Sequence, residues 1–203
     1  MAWDVEGTKR KIIDAATREF TERGPDGTTM ERIAKLAGVN KERVYNYFGS
    51  KPELFEFVLR EKLAVLAETI PVDSFTPDGI GTYAGQLFDY NSEHPELVRL
   101  VLWEALSFTS VVPEEQLRRD YYAQKVGSLG GAQAAGTLAG SLPPDHLNFL
   151  LLALAGYWSV VPQVARMMTG DSNPTELERR RSSVVEAARR LVVMQEPLAT
   201  GHP

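Results

Sequence analysis

Lys41, Arg43, Tyr45, Asn46 and Tyr47 crowd into one short segment, with Lys51 just beyond it. These residue types suit a nucleic acid. Arginine pairs bidentately with guanine and asparagine with adenine. Lysine and tyrosine reach phosphate oxygens, which sets register without carrying sequence. Lys51 would add a cation in the first turn of a following helix, where backbone N–H groups already favour an anion. The plain alternative is a solvated helix face, and two tyrosines on one solvent face tip the reading toward DNA. Catalytic chemistry is poorly served. The three histidines, His94, His146 and His202, are scattered, there is no cysteine, and no glycine-rich phosphate loop occurs. A carboxylate di-metal bundle would need Glu-x-x-His pairs, yet Asn91, Pro143 and Ala199 stand three residues before the histidines. His94 and His146 read as capping or surface residues. The chain is expected to be no enzyme and to need no metal or cofactor.

The segment needs elements to hold it. Ile12, Ala16 and Phe20 recur every fourth residue beside Ile13, the stripe of an amphipathic helix over about 9–23. Gly24 ends it, and Pro25-Asp26-Gly27 makes a turn. A second helix starts at Thr28 or Thr29. Thr28 with Glu31 has capping-box spacing, and Met30, Ile33, Ala34 and Ala37 form the next apolar stripe. Gly38 stops this helix, Asn40 caps a third over about 41–47, and Ser50 caps a fourth that ends near Ile70-Pro71. Two helices that cross closely need a small residue at the contact, which Ala34 supplies. Gly38 supplies the positive φ of a tight reversal. Val44 anchors the third helix while its other face stays free. This is the pattern of a helix-turn-helix, the alternative being an ordinary helical hairpin.

Further on, residues 71–79 read as an inter-domain joint, and helices are expected over about 78–92, 95–109, 113–136, 144–168 and 174–194. No run alternates long enough for a sheet, so the chain reads as all-α, with about nine helices. Residues 1–55 form the expected DNA-binding domain, a helix over about 52–70 connects, and 71–203 form the second domain. The charge is divided in the same way. The whole chain carries −5, but residues 1–51 balance to +2 and the rest to −7. Distribution matters more than the sum for a DNA-binding module. The absence of cysteine is compatible with the cytosol. The N-terminus has no basic-then-apolar signal pattern, and the apolar stretch from Phe149 to Pro162 is too short for a membrane span, which takes roughly 20 residues. A cytoplasmic protein with no membrane partner is expected.

Residues 9–55 resemble the DNA-binding domain of the TetR family of regulators. The stretches that carry the resemblance are Ile12 to Ala16, Phe20 to Gly24, Thr28 to Ala34, Ala37-Gly38-Val39 and Val44 to Lys51. The resemblance implies that Thr29 caps the second helix and touches phosphate. It also implies that Lys41 and Arg43 face the groove, that Tyr45 and Tyr47 contact the DNA backbone, and that Lys51 binds phosphate. Asn46 stands where the family often has His, and Pro25 where it usually has an aromatic residue. The implied function is a repressor that binds a palindromic operator and is released by a small apolar or aromatic ligand. An activator or a ligand-independent DNA-binding protein is the alternative.

The family's second domain is a helical ligand-binding and dimerisation unit. The 144–168 helix is apolar almost all round, which one small core cannot cover. A second subunit is the economical explanation, with helices 144–168 and 174–194 forming a four-helix interface of a homodimer. Arg179-Arg180-Arg181 read as a solvated face. Tyr83, Leu87, Tyr90, Trp103, Phe108, Tyr122 and Trp158 are candidates to line an effector pocket, the alternative for each being core packing.

Overall fold

The computed structural model describes residues 4–108 and 115–194, apart from the side chain of Leu117. Ten helices form among the described residues: α1 (Val5–Arg23), α2 (Met30–Ala37), α3 (Lys41–Phe48), α4 (Lys51–Thr69), α5 (Pro77–Glu93), α6 (Pro95–Ser107), α7 (Glu115–Ala134), α8 (Pro144–Val160), α9 (Pro162–Thr169) and α10 (Pro174–Val192). The residues just before α7, where its start was expected, lie outside the described residues, as does His202. Packing divides the chain into two units. One comprises residues up to Thr69 together with Glu93–Glu115, and the other Ile70–Ser92 together with the residues from Gln116 on.

In the first unit, Ile12, Ala16 and Phe20 of α1 are fully buried, and Ile33, Val44, Leu54 and Val58 join them from α2, α3 and α4. Phe20 meets Phe55 edge-on at 5.2 Å, and Phe55 stacks on Phe108 at 5.8 Å. α6 packs on α1 and α4 through Leu97, Val98 and Leu100. Its Arg99 Nε and Trp103 Nε1 both donate to the Thr21 carbonyl, at 2.9 and 3.4 Å. Trp103 also lies against Gly24, where φ is +70° and an added Cβ would sit 2.6 Å from the indole. The turn at Pro25, which lacks its own aromatic side chain, is thus covered by an aromatic ring from α6.

A buried carboxylate ties α1 to α2. Glu19 accepts from the Thr28 hydroxyl at 2.6 Å and from Arg32 Nε at 3.0 Å. Arg32 above all holds the Glu19 carboxyl below its ordinary range. This engages Thr28 inward and leaves Thr29 as the N-cap of α2, its hydroxyl accepting from Arg32 N.

In the second unit, α10 crosses α5 at Gly81 and Gly85. An added Cβ at Gly85 would meet Val185 Cγ2 at 2.8 Å. α8 packs on α10 through Leu147, Leu151 and Ala155 against Val184 and Ala188. The helix expected over 144–168 is two helices, α8 and α9, bent by 84°. Pro162 has no N–H and drives Val161 out of the helical region, to φ −128° and ψ 62°. Among the described residues no single helix is long and apolar enough to cross a membrane.

The arginine triplet divides: Arg179 is exposed, as expected, whereas Arg180 is buried and Arg181 half-buried. Arg180 is buried and holds Glu176, Thr169 Oγ1, Ser172 Oγ and the Gly170 carbonyl together. Arg181 forks onto Asp89 at 2.8 and 3.0 Å, and Arg179 pairs with Glu176 at 2.7 Å. Proximity to α5 gives Arg181 a partner far off in sequence, while the segment that joins α9 to α10 supplies those of Arg180. Arg179 first, then Thr169 and Arg180, hold Glu176 down to about 2, against an ordinary 4.5. A depressed carboxylate stabilises the fold above its unfolded pKa, and that contribution is lost as pH falls toward the folded value. Glu176→Gln should therefore lower the urea midpoint most above about pH 5, and its deficit against the natural protein should shrink from pH 4.5 to pH 2. Denaturation curves across that range check this.

Candidate nucleic-acid interface

The turn between α2 and α3 follows from its residues. Gly38 closes α2 in the left-handed region, at φ 69° and ψ 32°, a conformation that costs glycine little. Val39 N then donates back to the Ala34 carbonyl at 3.0 Å, the 6→1 bond of a Schellman turn. Asn40 Oδ1 accepts from Arg43 N at 3.0 Å and starts α3. Along α3, Val44 and Phe48 face inward and are buried, while Lys41, Glu42, Tyr45 and Asn46 are exposed and Arg43 and Tyr47 half-exposed. Gly49, at φ +70°, ends α3, with its N–H on the Tyr45 carbonyl.

Hydrogen bonds gather the remaining expected residues on one edge. Lys51 Nζ donates to the Thr28 carbonyl at 3.1 Å, which puts this cation beside the N-terminus of α2, one residue from Thr29. Lys41 Nζ pairs with Glu31 Oε1 in the first turn of α2 and stands 5.5 Å from the Tyr45 ring centroid. The pair raises the Lys41 pKa and lowers that of Glu31, the mutual hydrogen bond being the largest cause in each. Lys41, Lys51 and Thr29 are thus brought together around one helix N-terminus. The positive end of the helix dipole favours an anion there. Ser50 N donates to Glu53 Oε2 at 2.6 Å, so the first turn of α4 is fixed as well.

Glu31 was missed as an electrostatic partner, because its spacing from Thr28 reads as half of a capping box. The inward bond from Thr28 to Glu19 is the reason that box does not form.

The expected effector residues divide. Tyr83, Leu87 and Tyr90 are buried on α5, and Trp158 of α8 packs edge-on against Phe88 at 6.5 Å with Arg180 over its ring. Tyr122 is exposed on α7 and touches Tyr121. All five belong to the second unit. Trp103 and Phe108 belong to the first, against Gly24 and Phe55. Among the described residues no group of three histidine, cysteine or acidic side chains could hold a metal ion.

Comparison with known proteins supplies the identification. Residues 12–58 match the model for bacterial regulatory proteins of the tetR family, and residues 79–190 match the tetracyclin repressor-like C-terminal domain. The chain belongs to the TetR family. It is a DNA-binding transcriptional regulator, in a family of regulators rather than enzymes. It is 40% identical over 192 residues to the HTH-type transcriptional repressor SCO4008 of Streptomyces coelicolor, covering 94% of this chain and 98% of that one. It is 31% identical over 169 residues to the HTH-type transcriptional regulator RutR of Escherichia coli, covering 79% and 78%. Among solved structures, Streptomyces coelicolor SCO4942 superposes with a TM-score of 0.78 at 31% identity, over 91% of this chain and 98% of that one. FadR of Bacillus subtilis, solved in complex with stearoyl-CoA, shares the fold with a TM-score of 0.70 at 18% identity, over 91% and 100%.

In this TetR-family protein, Glu31 neutralises a cation on the exposed edge. Glu31→Gln should strengthen DNA binding about threefold at low salt, the scale of one exposed ion pair. It should also steepen the slope of log affinity against log salt by about one ion. Gel-shift titrations across a salt series check both, and Lys41→Met should cancel the gain.

Proposed function

We propose that the protein is a homodimeric repressor, acting in the cytoplasm, that reads a palindromic operator through α3 and leaves it when a small apolar or aromatic ligand binds the second domain. The observation that carries the DNA-reading part is the division of α3. Val44 and Phe48 are buried, while Lys41, Tyr45 and Asn46 stand exposed with Arg43 and Tyr47 at their side. Arg43 and Asn46 are the residues suited to base edges. Tyr45, Tyr47, Lys41, Lys51 and Thr29 are suited to phosphates. Residues 1–55 carry this function in the proposal, α4 connects, and 71–203 carry ligand and dimer contacts. α6 belongs to that second stretch by sequence but packs in the first unit, so the chain of the second domain returns to the DNA-reading core.

A dimer is supported by α8, whose Phe149 and Tyr157 are 72% and 62% exposed, with Leu150 and Ala153 also at the surface. An apolar stripe of this kind is normally covered, and α10 packs beside it. Two α3 helices at the spacing of one DNA turn, roughly 34–36 Å, read two half-sites. A ligand-bound state with another spacing would release them, a shift of population between two conformations. That solved FadR holds stearoyl-CoA in the same fold agrees with a small-molecule effector.

The test is binding to genomic fragments in excess competitor DNA across a salt series. A short palindromic site is expected. Arg43→Ala should cost about 1–3 kcal/mol and relax preference at one base, while Lys51→Ala should weaken all sequences alike. Phe149→Glu should yield monomers in analytical ultracentrifugation and lose the palindrome. A weak, salt-governed response without a preferred fragment would overturn the reading.

A further inference from the structure

The second unit holds a cation that the DNA-reading function does not use. Lys125 of α7 is half-buried. Its Nζ donates to Tyr83 Oη at 2.7 Å and stands 4.6 Å from the Tyr83 ring centroid and 5.6 Å from that of Tyr121. Tyr122 extends the cluster, its ring edge-to-face with Tyr121 at 6.0 Å. Tyr83 is 3% exposed, whereas Tyr121 and Tyr122 are open to solvent on one side. Among the described residues no carboxylate lies within ion-pair distance of Lys125, and its hydrogen-bond partner is a neutral phenol.

An ammonium drawn out of water without an anion is unfavourable. Burial accordingly pushes the Lys125 pKa down. Burial also pushes the Tyr83 hydroxyl up, with the nearby Tyr121 and Tyr122 adding to it, so the phenol stays protonated at neutral pH. The Tyr83 oxygen accepts one hydrogen bond from Lys125 and keeps its own O–H to give, and Lys125 keeps two further N–H donors. What the cluster lacks is an acceptor with negative charge. A cationic ligand in this aromatic surround would meet Lys125 as a like charge.

We propose that Lys125 and Tyr83 bind the carboxylate of a small organic acid whose apolar or aromatic body lies against the Tyr121 and Tyr122 rings. The ammonium supplies the charge, the phenol a second hydrogen bond, and the two exposed rings, set edge-to-face, an apolar corner. This names the effector's chemical class, and it rests on the effector reading above only for its consequence, the release of DNA.

Isothermal titration of the full chain with benzoate, phenylacetate, hexanoate and octanoate tests it, with benzamide as the neutral control and benzyltrimethylammonium as the cationic one. At least one acid should bind about tenfold more tightly than benzamide, the scale of one charge-assisted hydrogen bond. Lys125→Met should lose that preference, and Lys125→Arg should retain most of it. Tyr83→Phe keeps the ring and should weaken the acid several-fold, which serves if Lys125→Met fails to fold. Benzamide or the cation binding as tightly as every acid, no acid binding at all, or Lys125→Met and Tyr83→Phe both binding acid as the natural protein does would each overturn the site. DNA release is followed in parallel. An acid that binds through Lys125 without releasing DNA upholds the site and overturns the effector role. Release by a neutral compound, with no acid bound, upholds the role and overturns the site.

Discussion

α2 and α3 have eight residues each, and helices that short do not hold themselves in water. The outward face of α3 therefore depends on the apolar contact beneath these helices. Ile33, Ala34, Val44 and Phe48 are buried against the core that α1 and α4 supply. Burial of the inner face gives the outer face its shape. The caps refine this: Thr29 and Asn40 satisfy orphan N–H groups at the two starts, and Gly38 turns the chain between them. Because the outward side chains are not needed for packing, they can vary while the fold stays unchanged.

The cations of this region already have protein partners. Lys41 has Glu31, Lys51 has the Thr28 carbonyl, and Arg32 has Glu19. An anion that meets these cations competes with the partners they already hold. The acidic partners thus bear on how freely these cations meet an anion as much as the cations themselves do.

The local features were legible in the sequence. Gly38, Asn40 and Val44 lie within a few residues of what they control, and the stripe of α1 is a single period read off one helix. The all-α class and the helix-turn-helix followed from such short-range patterns. Long-range partners were not legible. Arg181 reaches Asp89 across 92 residues and Trp103 reaches Thr21 across 82, so Arg181 read as solvated. Thr28 fits a capping box until Glu19 of the neighbouring helix claims it. Pro162 was visible as the end of an apolar run, but hydrophobic periodicity continued past it and masked the break between α8 and α9. Neither Lys125 nor Tyr121 stood out, since what distinguishes them is a neighbour on another helix.

Trp103 and Trp158 sit in different packing units and in different company. One indole lies on the glycine that ends α1 and donates to a carbonyl; the other meets Phe88 edge-on beneath a guanidinium. The chain has three tryptophans in all. With Trp3 replaced, the fluorescence of the remaining two separates by environment, and a single further substitution isolates either. The protein thus carries a native optical reporter in each unit, and loosening of the DNA-reading core can be followed apart from events in the second unit without attaching a dye.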